Sequence, residues 1–407
     1  MSPSRPTTVC SRPAKPGSAT SGSARRRSLL VLATAAAVTL GTLGLTTAPA
    51  GAAVVRRADP ADTLQTSLND LVRGGDFPGA LAAVRGRDGR TRDYTAGVGD
   101  LATRARVPVN GRVRIGSTTK TFTAVVVLQL AGEGKLDLDT PVEKYLPNLV
   151  RDNGNDGRAI TVRQLLQHTS GLASYTDYLP PFLEILHRYT EPRELLDMGL
   201  AHEPTFAPGK GWNYSNTGYV LLGLLAQKIT GRPIGEEITN RIITPLGLRD
   251  TYWPGVGEQR IRGTHPKGYH SRTGEPGGEP VDVTELDPSV AWSAGQLIST
   301  PRDVNRFLGA LLGGKLLKPE QLEQMKQTVK TSESPAEWTY GLGLMKFELS
   351  CGGYGWGHGG DIPGYEIRNG VTEDGRAATI AVTAMPTRQA AADQVNAALD
   401  TALCAQK

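Results

Sequence analysis

Ser117 and Lys120 stand three residues apart at the head of an uncharged run that extends from Phe122 to Ala131. Positions i and i+3 share a helix face, so this hydroxyl and this ammonium can meet. The run is apolar nearly all the way round a helical wheel, which marks a buried helix. An ammonium near the positive end of such a helix is opposed by desolvation and by the dipole, and both lower its pKa. A lysine placed there is a candidate general base for a serine nucleophile. The plainer role for Ser117 is an N-cap, although a capping box wants Glu or Gln where Lys120 stands.

Two further stretches can join that pair. Tyr214 and Asn216, two apart on a loop, put a phenol and an amide on one side. A phenol near a lysine can shuttle a proton, and an amide can bind a substrate carbonyl. Alone, the stretch also fits an ordinary turn with Asn216 capping the helix that follows. His358-Gly359-Gly360-Asp361 lies on an expected strand, where glycine often marks close approach of a ligand to the backbone. Such a strand can offer an N–H to an oxyanion beside the N–H of Ser117. A glycine-rich turn with a surface histidine is the alternative.

The elements that must position these groups follow from periodicity and turn signals. A helix is expected over 62–73, then a hairpin of 80–84 and 91–98 around Asp88-Gly89, then the Ser117 helix stopping at Gly132. A capped helix at 160–166, helical segments within 181–198 and an apolar helix at 219–229 occupy the middle. The tail reads as strands at 355–360, 364–371 and 377–384 and a closing helix at 390–403. The expected class is therefore α/β (α+β): an antiparallel sheet built from both termini, flanked by helices, with a mostly helical insertion. The α/β part covers about 53–134 and 291–407, and the helical and loop part about 135–290.

Residues 1–52 read as an export signal. Arg25-Arg26-Arg27 precedes an apolar stretch over 29–45, and Ala48-Pro49-Ala50-Gly51-Ala52 offers cleavage after Ala50 or Ala52. The arginines loosely fit a twin-arginine signal. An uncleaved anchor is the weaker reading, because Gly41 and Gly44 interrupt a short span. This leader holds six of the 45 Lys and Arg and none of the 40 Asp and Glu. The remainder carries 39 against 40, a formal net of −1, which gives no argument for nucleic-acid binding. Once Cys10 leaves with the leader, Cys351 and Cys404 remain, and in an exported chain two cysteines most simply pair. Two buried thiols would suit a reducing compartment. No metal is expected. Asp152 to Gly157 resembles a calcium loop but has Arg163 at position twelve, and His265 and His270 lack a third ligand.

Taken together, the three stretches are far more specific than any one, being separated by 97 and 144 residues in this order. The chain resembles the serine β-lactamase and DD-peptidase superfamily, and within it the class C-like branch and the exported DD-carboxypeptidases of actinomycetes. Ser117-Lys120, Tyr214-Asn216 and His358-Gly360 match its Ser-x-x-Lys, Tyr-x-Asn and His/Lys-x-Gly elements. Gly134 to Asp139, Ile160 to Leu172, Ser293-Ala294-Gly295 and the late cysteine pair add support, so the match spans about residues 62–404.

The resemblance implies an acyl-enzyme at Ser117, with Lys120 and Tyr214 exchanging the proton. The N–H groups of Ser117 and Asp361 would hold the oxyanion. Gly359, Gly360 and Asp361 would line the substrate, Asn216 would bind the acyl-side amide, and His358 would tune Tyr214. His168 would be structural. It further implies a monomer that needs no cofactor, acts on a small peptide, ester or lactam, and has no stable membrane insertion after signal cleavage. The first expectation is a secreted D-alanyl-D-alanine carboxypeptidase-like hydrolase. An esterase or D-aminopeptidase, a class C-like β-lactamase and a non-catalytic penicillin-binding protein are the alternatives. Two departures bear on this choice. The family's His-Thr-Gly-Thr is His358-Gly359-Gly360-Asp361 here, and the position of its carboxylate-binding arginine holds Met345, next to Lys346.

Overall fold

Alternating apolar residues build the sheet around which the chain is wrapped. The computed structural model describes residues 60–331 and 338–405, so the expected leader lies outside the described residues. Nine strands form the sheet: β1 Gly79–Arg85, β2 Thr91–Gly97, β3 Val329–Lys330, β4 Trp338–Tyr340, β5 Met345–Glu348, β6 Tyr354–Gly357, β7 Gly360–Ile362, β8 Tyr365–Thr372 and β9 Ala377–Val382. Their order is β2-β1-β9-β8-β6-β5-β4-β3, with β7 paired to β8 off this path. Every pairing is antiparallel. An early strand and the last strand thus meet where β1 pairs with β9, one strand in from the β2 edge.

Side chains alternate between the two faces of a strand. Ala80, Ala82 and Val84 join Leu64, Leu68 and Leu71 of helix α1 (Pro60–Arg73) in one core cluster. Val395, Leu399 and Leu403 of the closing helix complete it. Leu81 belongs to the larger cluster on the other side, with Phe307 and Leu308. That cluster also holds helix α2 (Thr119–Gly132), which follows directly on Ser117-Thr118, and helix α3 (Asn216–Thr230). Helix α4 (Trp292–Gly295), helix α5 (Pro301–Leu312) and the closing helix α6 (Gln389–Cys404) complete the frame. Cys351, after β5, and Cys404, at the end of α6, form a disulfide with Cα atoms 5.7 Å apart.

Short helices and loops fill the insertion between α2 and α4, including a capping box at Thr161 and Gln164. The fold class is the expected one. Several elements were not expected: helix Pro319–Lys326, the strand pair Tyr269–Ser271 and Pro280–Asp282, and β3, β4 and β5 at the far edge of the sheet, whose two to four residues are too short to show a period. No helix among the described residues is long and apolar enough to cross a membrane.

Candidate active site

Helix α2 is buried on all sides, and its threonines show how such a helix is held in one place. A buried hydroxyl needs a partner, and each of these finds one on another segment. Thr121 Oγ1 donates to Gly343 O at 2.8 Å and Thr123 Oγ1 to Ser293 O at 2.7 Å. Thr119 Oγ1 accepts from Leu297 N at 3.2 Å. Just ahead of the helix, Thr118 Oγ1 donates to His358 O at 2.7 Å. Ser117 sits not in the first α-turn, as expected, but on a 3₁₀ turn, Gly116–Thr118. Gly116 has φ +47°, and a Cβ there would lie 2.9 Å from Asp361 N. Glycine is therefore required, and the Asp361 backbone lies against the nucleophile's turn.

Lys120 is 0% exposed, and its Nζ has three oxygen neighbours. These are Ser117 Oγ at 2.9 Å, Asn216 Oδ1 at 2.7 Å and Ala294 O at 2.8 Å. Two of the three can only accept. A neutral amine with its hydrogens on Asn216 and Ala294 keeps its lone pair for the Ser117 hydroxyl, which is the geometry of a general base. Burial holds the Lys120 pKa well below its ordinary value, and the Asp361 carboxylate pulls it back in part. The Asn216 amide is oriented by Thr176 Oγ1 at 3.1 Å and Ser174 Oγ at 3.4 Å, both accepting from Nδ2. Ala294 O comes from α4, which begins at Trp292 with φ +33°, a conformation a bulky residue keeps only when its surroundings impose it. Tyr214 is half-buried, with Lys120 Nζ 4.8 Å from its ring centre.

The histidines form a second unit. Ser215 N donates to His168 Nδ1 at 3.1 Å, so His168 carries its proton on Nε2. That nitrogen lies 3.2 Å from Tyr340 Oη, which is 2.8 Å from His358 Nε2. His358 Nδ1 faces Gly359 O at 2.7 Å and must donate to it. Every polarity is thereby set: His168 donates to Tyr340, and Tyr340 donates to His358. Burial, aided by Lys120, lowers the His358 pKa to about 3. Burial, with Lys120 and His358, holds His168 well below its ordinary value. Both rings are neutral.

The expected roles divide accordingly. Ser117, Lys120, Tyr214 and Asn216 come together, and Gly359-Gly360-Asp361 runs beside them. His358 carries no charge with which to tune Tyr214. Its ring centre is 6.3 Å from the Tyr214 ring, and its hydrogen bond goes to Tyr340. Asn216 holds Lys120, with both amide hydrogens already directed at Ser174 and Thr176. Sequence reasoning missed Tyr340, which lies on an unrecognised edge strand. It also missed Asn369, whose Oδ1 accepts from His358 N at 3.0 Å and whose Nδ2 donates to His358 O at 2.8 Å.

The chain as a whole is matched by known proteins. The family model described as Beta-lactamase covers residues 64–403. The chain belongs to that family. Its superfamily is one of serine hydrolases of the acyl-enzyme type. A relative among well-described proteins is penicillin-binding protein 4 of Amycolatopsis lactamdurans, 30% identical over 71% of this chain and 73% of that protein. Of penicillin-binding protein 4* from Bacillus subtilis, the match covers 40% of the length at 30% identity. Among solved structures, a D-stereospecific amidohydrolase from Streptomyces sp. is 42% identical with a TM-score of 0.75, covering 83% of this chain and 98% of that one. The D-amino acid amidase of Ochrobactrum anthropi SV3, complexed with D-phenylalanine, is 30% identical with a TM-score of 0.74, covering 86% and 99%.

Proposed function

We propose that this protein is a D-stereospecific amide hydrolase working through an acyl-enzyme on Ser117. The observation that carries this reading is the strand beside the nucleophile, where a half-exposed Asp361 stands in place of a hydroxyl. A carboxypeptidase must hold a free carboxylate, and the groups for that role are missing. Met345 pairs with Gly357, while Lys346 lies opposite Trp356 with its Nζ 3.6 Å from the Tyr354 ring centre. The 42% identity to the Streptomyces amidohydrolase points the same way.

In the reaction, Ser117 Oγ attacks the amide carbon as its proton passes to Lys120 Nζ. Collapse expels the amine, which takes up a proton by way of Lys120 and Tyr214. Water then attacks the acyl-Ser117 ester, releasing the acid and restoring the hydroxyl. The N–H groups of Ser117 and Asp361 receive the negative oxygen in both steps.

The test is a panel of D- and L-phenylalanine amide, a peptide ending in D-Ala-D-Ala, a simple ester and benzylpenicillin, on wild type and Ser117→Ala. Release of ammonia from the D-amide, faster than from the L-amide and absent in the variant, is the expected result. Cleavage of D-Ala-D-Ala with the D-amide untouched would return the protein to the carboxypeptidases, a reading supported by its likeness to penicillin-binding protein 4. Secretion after cleavage behind Ala50 or Ala52 belongs to the same proposal. The Cys351–Cys404 disulfide supports it, since such bonds persist in oxidising compartments. The N-terminal sequence of protein recovered from culture medium checks it.

A further inference from the structure

Beside the nucleophile, strands β7 and β8 carry a charge arrangement that the reaction itself does not use. Asp361 on β7 pairs directly with Glu366 on β8, so the two side chains share a face. Arg368, two residues further along β8, lies on that face too. Two acidic side chains directly opposite one another are an unfavourable pair when both are charged, and Arg368 lies against both. Its Nη1 donates to Asp361 Oδ1 at 2.8 Å, and its Nη2 lies 2.7 Å from Glu366 Oε1. The second contact is close but misaligned, and neither buried Glu366 oxygen has a hydrogen-bond partner. Glu366 is 0% exposed, whereas the Asp361 side chain is 48% exposed. The guanidinium is therefore engaged by two carboxylates, one beneath it and one facing solvent.

This cluster borders the reacting groups. A Cβ on Gly359 would lie 3.1 Å from Arg368 Nη1, and the Asp361 backbone abuts the turn of Ser117. Its charges are felt in the site: Asp361 acts on Lys120, and Arg368 on His358 and Tyr214. A substrate anion arriving here meets the Asp361 carboxylate and a guanidinium already paired.

We infer that Asp361, held by Arg368 above Glu366, is a specificity determinant that turns away substrates bearing a carboxylate beside the scissile bond and admits neutral ones. The inference rests on the acyl-enzyme reading but not on the choice of D-amides. It assigns the substrate class by what the bond's neighbour must lack.

The test uses phenyl acetate and meta-carboxyphenyl acetate, two activated esters that differ by one carboxylate. The ratio of their kcat/KM values cancels any change in basal activity. Wild type should favour phenyl acetate by about tenfold or more, and Asp361→Asn should bring the ratio to within about threefold of unity. Asp361→Thr should act in the same direction, and Glu366→Gln should lower the ratio by less. A wild-type ratio near unity, or one unchanged in both Asp361 variants, would overturn the proposal. Discrimination between the esters without hydrolysis of D-amides would remove the amidase reading and leave this one standing. Failure of both esters to acylate Ser117, read by intact mass, would remove both.

Discussion

Asn216 Oδ1 lies 2.7 Å from Lys120 Nζ, closer than Ser117 Oγ at 2.9 Å. The amide aims the amine at the nucleophile. Asn216→Ala should lower kcat by about a hundredfold with little change in KM, because a misdirected base loses its catalytic advantage. Steady-state kinetics on D-phenylalanine amide decide the matter. A raised KM at constant kcat would instead make Asn216 a substrate-holding residue, as its sequence motif suggested.

Lys120 fills an enclosed space with an unbranched side chain, so Lys120→Met preserves volume while removing the base. Turnover should fall on the order of a thousandfold or more, with the fold intact by circular dichroism. Near-wild-type turnover in this variant would transfer the proton-accepting role to Tyr214.

Tyr340 joins two neutral imidazoles in one fixed order. Tyr340→Phe leaves a donor on His168 and an acceptor on His358 unmet in the interior. Loss of about 1–3 kcal/mol of stability is expected by urea denaturation. An unchanged midpoint would show that the pair has other partners.

Glu366 is a buried carboxyl whose pKa rises from 4.5 to about 7, chiefly through burial and against the pull of Arg368. The folded protein therefore holds a proton that the unfolded chain gives up, and the resulting stability is complete below 4.5 and lost as pH rises through about 7. Glu366→Gln should match wild type in acid and exceed it above neutrality, by at most about 3 kcal/mol. Denaturant midpoints of both proteins across this range give the difference. A constant offset would show that Glu366 does not change its charge there.

Gly360 lies where a Cβ would come within 2.0 Å of Ile115 O, a main-chain atom that cannot swing aside. Gly360→Ala should cost about 1–3 kcal/mol and move the strand from the nucleophile. Loss of Ser117 acylation that exceeds the loss of stability would identify the strand's position as the sensitive quantity.

The residues that gather at the candidate site were readable where local pattern and chemistry coincide. Ser117 and Lys120 stood out because a charged group opened an otherwise apolar helix, and the α1 helix and β1–β2 hairpin were evident from their periods. The partners of those residues were not readable in the same way. His168 and Tyr340 meet across 172 positions, and Tyr340 lies on a three-residue strand with no pattern of its own. Glu366 and Arg368 look like ordinary members of a strand, and only pairing with Asp361 across the turn shows that one of them is an enclosed acid. The contact of Asn216 with Lys120 was hidden for a similar reason, since its motif fixes its neighbourhood but not which atom it touches.

The pairing of β1 with β9 joins the first strand of the sheet in chain order to the last. A ribosome that has already released Ser117, Lys120 and Tyr214 has not yet released β7, β8 and β9. A chain stopped before β7 has Ser117 without the Asp361 backbone that lies against its turn. The pairing of β1 with β9 can form only after residue 382 has been made, so this part of the sheet closes behind synthesis rather than alongside it.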